Sequence, residues 1–140
     1  MVRLTKIYRS TTPIRDAAER IIAGVREKDY TGEAAAVQAW VRDNVRYTRD
    51  VFDVETLKTP LETLRTLHGD CDDKSLLAGT ILQTIGFPVR YVAVGVAPGR
   101  YDHVYAETKI GAHWVGVETT EPVSLGWRPE SIAAPMVAHV

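Results

Sequence analysis

Apolar residues recur at helical spacing in the first half of the chain and at strand spacing in the second. Ala17, Ala18, Ile21, Ile22 and Val25 fall on one stripe of a 3.6-residue helix. Thr12 can cap that helix, and Pro13 takes its first position, where the missing N–H costs nothing. A helix is therefore predicted over about residues 13–26. Val37, Trp40, Val41 and Val45 repeat the pattern, which predicts a second helix over about residues 32–47 with these side chains inward. Between residues 49 and 58 the periodicity fails and a loop is expected. Thr59-Pro60-Leu61-Glu62 then has the cap, opening proline and capping-box glutamate of a short helix that carries Leu61, Leu64 and Leu67 and stops near Gly69. Asp70, with Asp73 three residues on, caps a fourth helix through Leu77, Ala78, Ile81, Leu82 and Ile85, which ends at Gly86-Phe87-Pro88. Cys71 thus sits in the first turn of a helix that is otherwise apolar and expected to be central.

Beyond Pro88 the pattern changes. Residues 89–96 are nearly all apolar, as in a strand buried on both faces. Pro98-Gly99-Arg100 is a turn. Residues 103–110 and 113–119 read as a hairpin around Gly111-Ala112, where glycine at the first central position favours a type II′ turn. The stretch after Pro122 carries three prolines (Pro122, Pro129, Pro135) and is left irregular. Helices first and strands afterwards predict an α+β fold: a central cysteine-bearing helix packed on a small antiparallel sheet. The 140 residues make one domain of ordinary size, with its core over about residues 32–122.

Composition narrows the function. Hydrophobic residues make up 45% and charged residues 25%, a globular balance. The formal net charge of −1 and the lack of a basic patch argue against a nucleic-acid partner. No apolar run approaches the roughly 18 residues of a membrane span, and the N-terminus does not resemble a secretory signal. A soluble, cytoplasmic protein with no membrane partner is expected. The single cysteine excludes an intrachain disulfide, suits a reducing compartment, and is either an inert core residue or a nucleophile.

The hairpin register tests the second possibility. If Ile110 pairs with His113, then Tyr105 lies opposite Glu118, and His103 is a diagonal neighbour of Glu118 on the same face, with Cα atoms roughly 7–8 Å apart. A glutamate there can accept the imidazole N–H, fix its tautomer and stabilise the imidazolium. A slip of one residue would turn Glu118 to the other face. Glu107 is the competing carboxylate, farther along the same face. Cys71 at a helix N-terminus lies among backbone N–H groups that favour thiolate. Asp70, Asp72 and Asp73 crowd that turn and oppose it. The Cys71 backbone N–H is also a candidate oxyanion donor.

Taken singly, each residue has a plainer reading. Cys71 could be a small buried hydrophobe, His103 a partly exposed strand residue and Glu118 a solvated glutamate. Asp72 and Asp73 read as stabilising charges at a helix N-terminus. His68, His113 and His139 read as surface residues, the three tryptophans as packing, and Tyr105 as either core or cleft lining. Cys71, His103, Asp72 and Glu118 could in principle ligate zinc, but no CxxC or HExxH pair supports it, and no metal or cofactor is expected.

Five stretches occur together and in order: Thr59-Pro-Leu-Glu-Thr-Leu, Gly69-Asp-Cys-Asp-Asp-Lys-Ser, Gly86-Phe-Pro-Val-Arg-Tyr-Val, Asp102-His-Val-Tyr-Ala-Glu and Trp114-Val-Gly-Val-Glu. In order and spacing they resemble the transglutaminase-like superfamily over about residues 40–122. The resemblance implies a papain-like core with Cys71 as nucleophile, His103 as base and Glu118 in the third position, where the family usually has aspartate. Glu118-Thr-Thr-Glu-Pro with Leu125-Gly-Trp is similar to bacteriophage and prophage variants, which implies a bacterial or phage-infected cell, or a virion, as the setting. The expected activity is attack on an amide carbonyl of a peptide or protein through a thioester. The acyl group then passes to water, as in a peptidase or amidase, or to an amine, as in protein-glutamine crosslinking. The other reading is a binding or phage-assembly module that keeps the fold without turnover.

Overall fold

The computed structural model describes residues 1–49 and 56–140, so the expected loop at residues 49–58 falls largely outside the described residues. The chain folds as α1 (Val2–Tyr8), α2 (Thr12–Ile22), α3 (Tyr30–Asn44), β1 (Arg46–Tyr47), α4 (Pro60–Thr66), β2 (His68–Gly69), α5 (Cys71–Thr84), β3 (Val89–Val94), β4 (His103–Ile110), β5 (His113–Val117) and β6 (Met136–His139). Helices precede an antiparallel sheet of order β5-β4-β3-β6, and β1 and β2 form a separate short parallel pair. The class is α+β.

Helix α5 is central because it is apolar nearly all round, which leaves no face for solvent. Leu76, Leu77, Ala78, Ile81 and Leu82 are all fully buried. They pack with Ile14 and Ala18 of α2, Val37 and Val41 of α3, and Val89, Tyr91, Ala106 and Val117 of the sheet. Its N-terminus is fixed by a complete capping box. The Asp73 N–H donates to Asp70 Oδ1 at 3.0 Å and the Asp70 N–H to Asp73 Oδ2 at 3.4 Å. Gly69 makes room for this arrangement, since a side chain there would collide with Asp73.

Several elements differ from the periodicity. The helix expected over residues 13–26 is Thr12–Ile22, so Thr11 and not Thr12 precedes it as the cap residue, and Val25 lies beyond its end. The helix expected over residues 32–47 stops at Asn44. The buried Lys74 ammonium donates to the carbonyls of Val45 at 2.7 Å and Arg42 at 3.4 Å, closing the helix end. Arg46 and Tyr47 then turn out to pair with His68 and Gly69. The tail left irregular contains β6, whose residues are all exposed. Backbone pairing with β3, with Arg90 opposite His139 and Ala93 opposite Met136, holds it, so no apolar alternation marks it. The N-terminal α1, for which no element was expected, is pinned at its middle, where the buried Thr5 hydroxyl meets the Tyr91 hydroxyl at 2.6 Å.

The hairpin register is the one expected from a two-residue turn: Ile110 pairs with His113, Lys109 with Trp114 and Ala106 with Val117. Gly111 has φ +61°, and Ala112 is not left-handed, as a type II′ turn requires.

Candidate active site

Cys71 is the first residue of α5 and is partly exposed. The β1–β2 pair fixes the chain just before it, through Arg46 N–H to Leu67 O at 2.9 Å and Thr48 N–H to Gly69 O at 3.0 Å. One turn along α5, the Ser75 hydroxyl donates to the Val104 carbonyl at 3.0 Å. That bond ties the cysteine helix to the strand that begins with His103.

His103 and Glu118 meet. Nε2 of the imidazole lies 2.6 Å from Glu118 Oε2. The second carboxylate oxygen, Oε1, accepts the Thr120 N–H at 2.6 Å and the Glu121 N–H at 3.4 Å. The Glu118 carbonyl accepts from the buried Gln38 amide at 2.9 Å. The extra methylene of glutamate, relative to aspartate, thus does not leave this side chain loose, because both ends are anchored. Glu118 is 1% exposed.

The charges are coupled. Burial lowers the His103 pKa, but the influence of the nearby Cys71 sulfur and the hydrogen bond and charge of Glu118 outweigh burial and push it up to about 10. Burial raises Glu118, and the bond and charge of His103, with the Thr120 and Glu121 N–H groups, overcome it and hold the carboxyl below its ordinary value. Since Nε2 faces Glu118, Nδ1 is the nitrogen left for the Cys71 thiol. The thiol also contacts the Asp72 carboxylate, with Sγ 3.6 Å from Oδ1.

The remaining candidates separate by their partners. Glu107 lies on the same sheet face but is engaged by guanidinium groups: Arg90 Nε at 2.7 Å and Arg128 Nε at 2.5 Å. Asp73 is wholly buried in the capping box and also accepts the Lys58 backbone N–H at 2.8 Å. His68, His113 and His139 are exposed. Trp114 is packed between Arg90 and the His139 ring.

Three neighbours of the site escaped sequence reading: Gln38, Lys74 and Ser75. The signal was polar residues on apolar stripes. Gln38 stands between Val37 and Val41, and Lys74 and Ser75 lie one turn before Leu77 and Ala78. All three are buried. Burial lowers the Lys74 pKa, against the opposing charges of Glu118 and Asp43.

The sequence profile of the transglutaminase-like superfamily matches residues 15–119, and the chain belongs to that superfamily. No curated protein matches it significantly. Among solved structures it is similar to a candidate cysteine protease from Cytophaga hutchinsonii, with a TM-score of 0.65 and 18% identity over 90% of this chain and 46% of the other. It is also similar to a candidate protease from Parabacteroides distasonis, with a TM-score of 0.63 and 12% identity over 87% of this chain and 26% of the other. At such identities the likeness is one of fold. The chain spans under half the length of either protein. Among the described residues no helix is long and apolar enough to cross a membrane.

Proposed function

We propose that this transglutaminase-like chain is a cysteine hydrolase of amide bonds in peptides or proteins, with Cys71 as nucleophile, His103 as acid and base, and Glu118 orienting the imidazole. The observation that carries the reading is the part-buried His103–Glu118 contact at 2.6 Å, which occupies Nε2 and leaves Nδ1 to serve Cys71 at the start of α5.

The steps follow from these positions. His103 Nδ1 holds the proton of the thiol, in keeping with an imidazole pKa pushed up to about 10, and the sulfur attacks the amide carbonyl carbon. The resulting oxyanion has the Cys71 backbone N–H as a candidate donor, because the first N–H groups of a helix have no intrahelical acceptor. The C–N bond then breaks as Nδ1 returns its proton to the departing amine, leaving a thioester on Cys71. Water, deprotonated by the same nitrogen, attacks the thioester and releases the acid and the free thiol. Throughout, Glu118 accepts Nε2–H and stabilises the imidazolium each time it forms.

The test is a panel of peptide and amide substrates read by mass spectrometry, with wild type beside Cys71→Ala. Wild type is expected to cleave at least one member, and the variant none. The variant should keep its thermal unfolding transition, since the residue is partly exposed in a first turn and little packing is lost. Cleavage that survives Cys71→Ala would refute the nucleophile assignment. Iodoacetamide should alkylate Cys71 in wild type at mildly acidic pH, and far more slowly in His103→Gln.

A further inference from the structure

A cleft of about 320 Å³ opens against His103, and Cys71 is not among the residues that line it. Val94, Val96, Val123, Trp127 and Pro129 supply its apolar lining. Three carboxylates, Asp102, Glu121 and Glu130, complete the lining. Asp102 is paired with Arg100 at 2.8 Å. Glu121 and Glu130 are exposed and enter no ion pair among the described residues. Arg128, the cation nearest them in sequence, is turned to Glu107. Two negative charges therefore stand uncompensated beside an apolar wall.

That wall is held from several directions. The Gly126 N–H donates to Gly116 O at 2.9 Å, and a side chain on Gly116 would collide with the Trp127 carbonyl. Arg128 is fixed by the buried Glu107 carboxylate at 2.5 Å. On the far side of Glu130, the Ser131 hydroxyl accepts the Gly95 N–H at 3.1 Å, and Ile132 and Ala133 donate to the Gly95 carbonyl at 3.0 and 3.1 Å. Trp127 and Glu130 lie between these anchors, so the cleft is shaped before anything enters it, which lowers the cost of binding.

In the acyl transfer proposed above, on which this inference rests, His103 delivers its proton to the departing nitrogen. Whatever is attached to that nitrogen lies on the histidine side of the sulfur. The cleft is lined by His103 and by no residue of α5, which is the ground for assigning it to that side. We propose that it binds the basic side chain, lysine or arginine, of the residue contributing the leaving amine. The aliphatic stem lies along Val123 and Trp127 while the cationic end reaches Glu121 and Glu130. The bond broken is the amide bond before that residue; the acyl group goes to Cys71 sulfur and the His103 proton to the released α-amine.

The experiment separates binding from turnover. The full chain carrying Cys71→Ala is titrated, with NMR detection of the Trp127 indole and His103 imidazole, by the capped peptides acetyl-Ala-Ala-Lys-Ala-amide, its arginine analogue, and analogues with norleucine or glutamate at the same place. The lysine and arginine peptides should move both resonances and bind about fivefold or more tightly than norleucine, with glutamate weakest, as two solvent-exposed ion pairs allow. The preference should shrink at high salt and disappear in the Glu121→Gln/Glu130→Gln variant. Equal binding of lysine and norleucine peptides, a preference that survives the double variant, or shifts confined to other residues would overturn the cleft assignment. Wild-type turnover of the same peptides is scored independently. Cleavage without preference for a basic residue refutes the cleft alone, and cleft binding of the lysine peptide with no cleavage anywhere in the wider panel refutes the acyl-transfer reading alone.

Discussion

Glu107 and Glu118 lie on one face of the hairpin, and both are buried, at 2% and 1% exposed. Their surroundings are opposite in kind. Glu107 is gripped by Arg90 and Arg128, with the Tyr105 hydroxyl donating to it at 3.2 Å. Guanidinium groups stay charged at any pH a protein survives, so they neither supply nor take protons and serve to hold the carboxylate in place. Glu118 faces an imidazole, a group that can give and regain a proton during a reaction, and backbone N–H groups, which fix the carboxylate without competing for the role of acid. Burial of a carboxylate therefore does not distinguish a working site from a brace. The titratability of its partner does.

The sharpest way to break this comparison is Glu118→Gln. If the amide NH2 turns toward His103, it donates to Nε2 and moves the imidazole proton to Nδ1, the nitrogen needed as base. If the amide is reversed, its NH2 confronts the Thr120 and Glu121 N–H donors. Neither orientation satisfies both sides. Turnover is expected to fall about 10²–10⁴-fold, measured as kcat/KM on any substrate cleaved by wild type. An unchanged rate would mean that Glu118 is a brace as well.

Glu107→Gln makes the complementary cut. It removes a buried charge that two arginines were placed to meet, although both side chains are partly exposed and can recover water. Unfolding in urea should show a loss of about 1–3 kcal/mol, with kcat/KM on a neutral small substrate within about tenfold of wild type. A large loss of turnover with stability intact would reverse the roles assigned to the two glutamates.

The reason these roles were only partly legible is visible in the same hairpin. The turn chemistry of Gly111-Ala112 and the two-residue period of the strands suffice to put His103 and Glu118 on one face, and the observed register agrees. The capping pattern around Asp70 likewise places Cys71 at a helix start. What pattern could not supply was long-range polar contact. Gln38 lies 80 residues from the carbonyl it binds, and Lys74 lies 29 from Val45. Strand β6 is fixed chiefly by its neighbour's backbone, which no side-chain alternation announces. Arg128 could not be assigned to Glu107 because the tail that carries it has no periodicity.

pH should sharpen the contrast further. The His103 pKa is raised in the folded protein from its ordinary 6.5 to about 10. Its charged form thus contributes stability that is fully present below about pH 6.5 and is lost as pH rises toward 10. The gap in unfolding free energy between wild type and His103→Gln should therefore narrow across that window. The gap for Glu107→Gln should not follow the same profile, because arginine does not titrate there. Parallel profiles would show that the imidazole is not charged in the fold.

The smallest effect expected is at Asp72, where the site works against itself. Its carboxylate oxygen is 3.6 Å from Cys71 sulfur, close enough to accept the thiol proton and to oppose negative charge on sulfur. His103 and the helix N-terminus act in the other direction. Asp72 is also a charge in the first turn of α5, where the helix dipole favours it, and the Asp70–Asp73 capping box does not depend on it. Asp72→Asn keeps the shape and removes the charge. At mildly acidic pH the rate of Cys71 alkylation should rise about two- to fivefold, because thiolate becomes easier to form at a partly exposed site where screening keeps charge effects modest. Stability should fall by less than about 1 kcal/mol, the worth of one partly exposed charge near a helix end. If alkylation slows instead, Asp72 is positioning the sulfur rather than restraining it, and the thiol reaches His103 through an arrangement in which that carboxylate takes part.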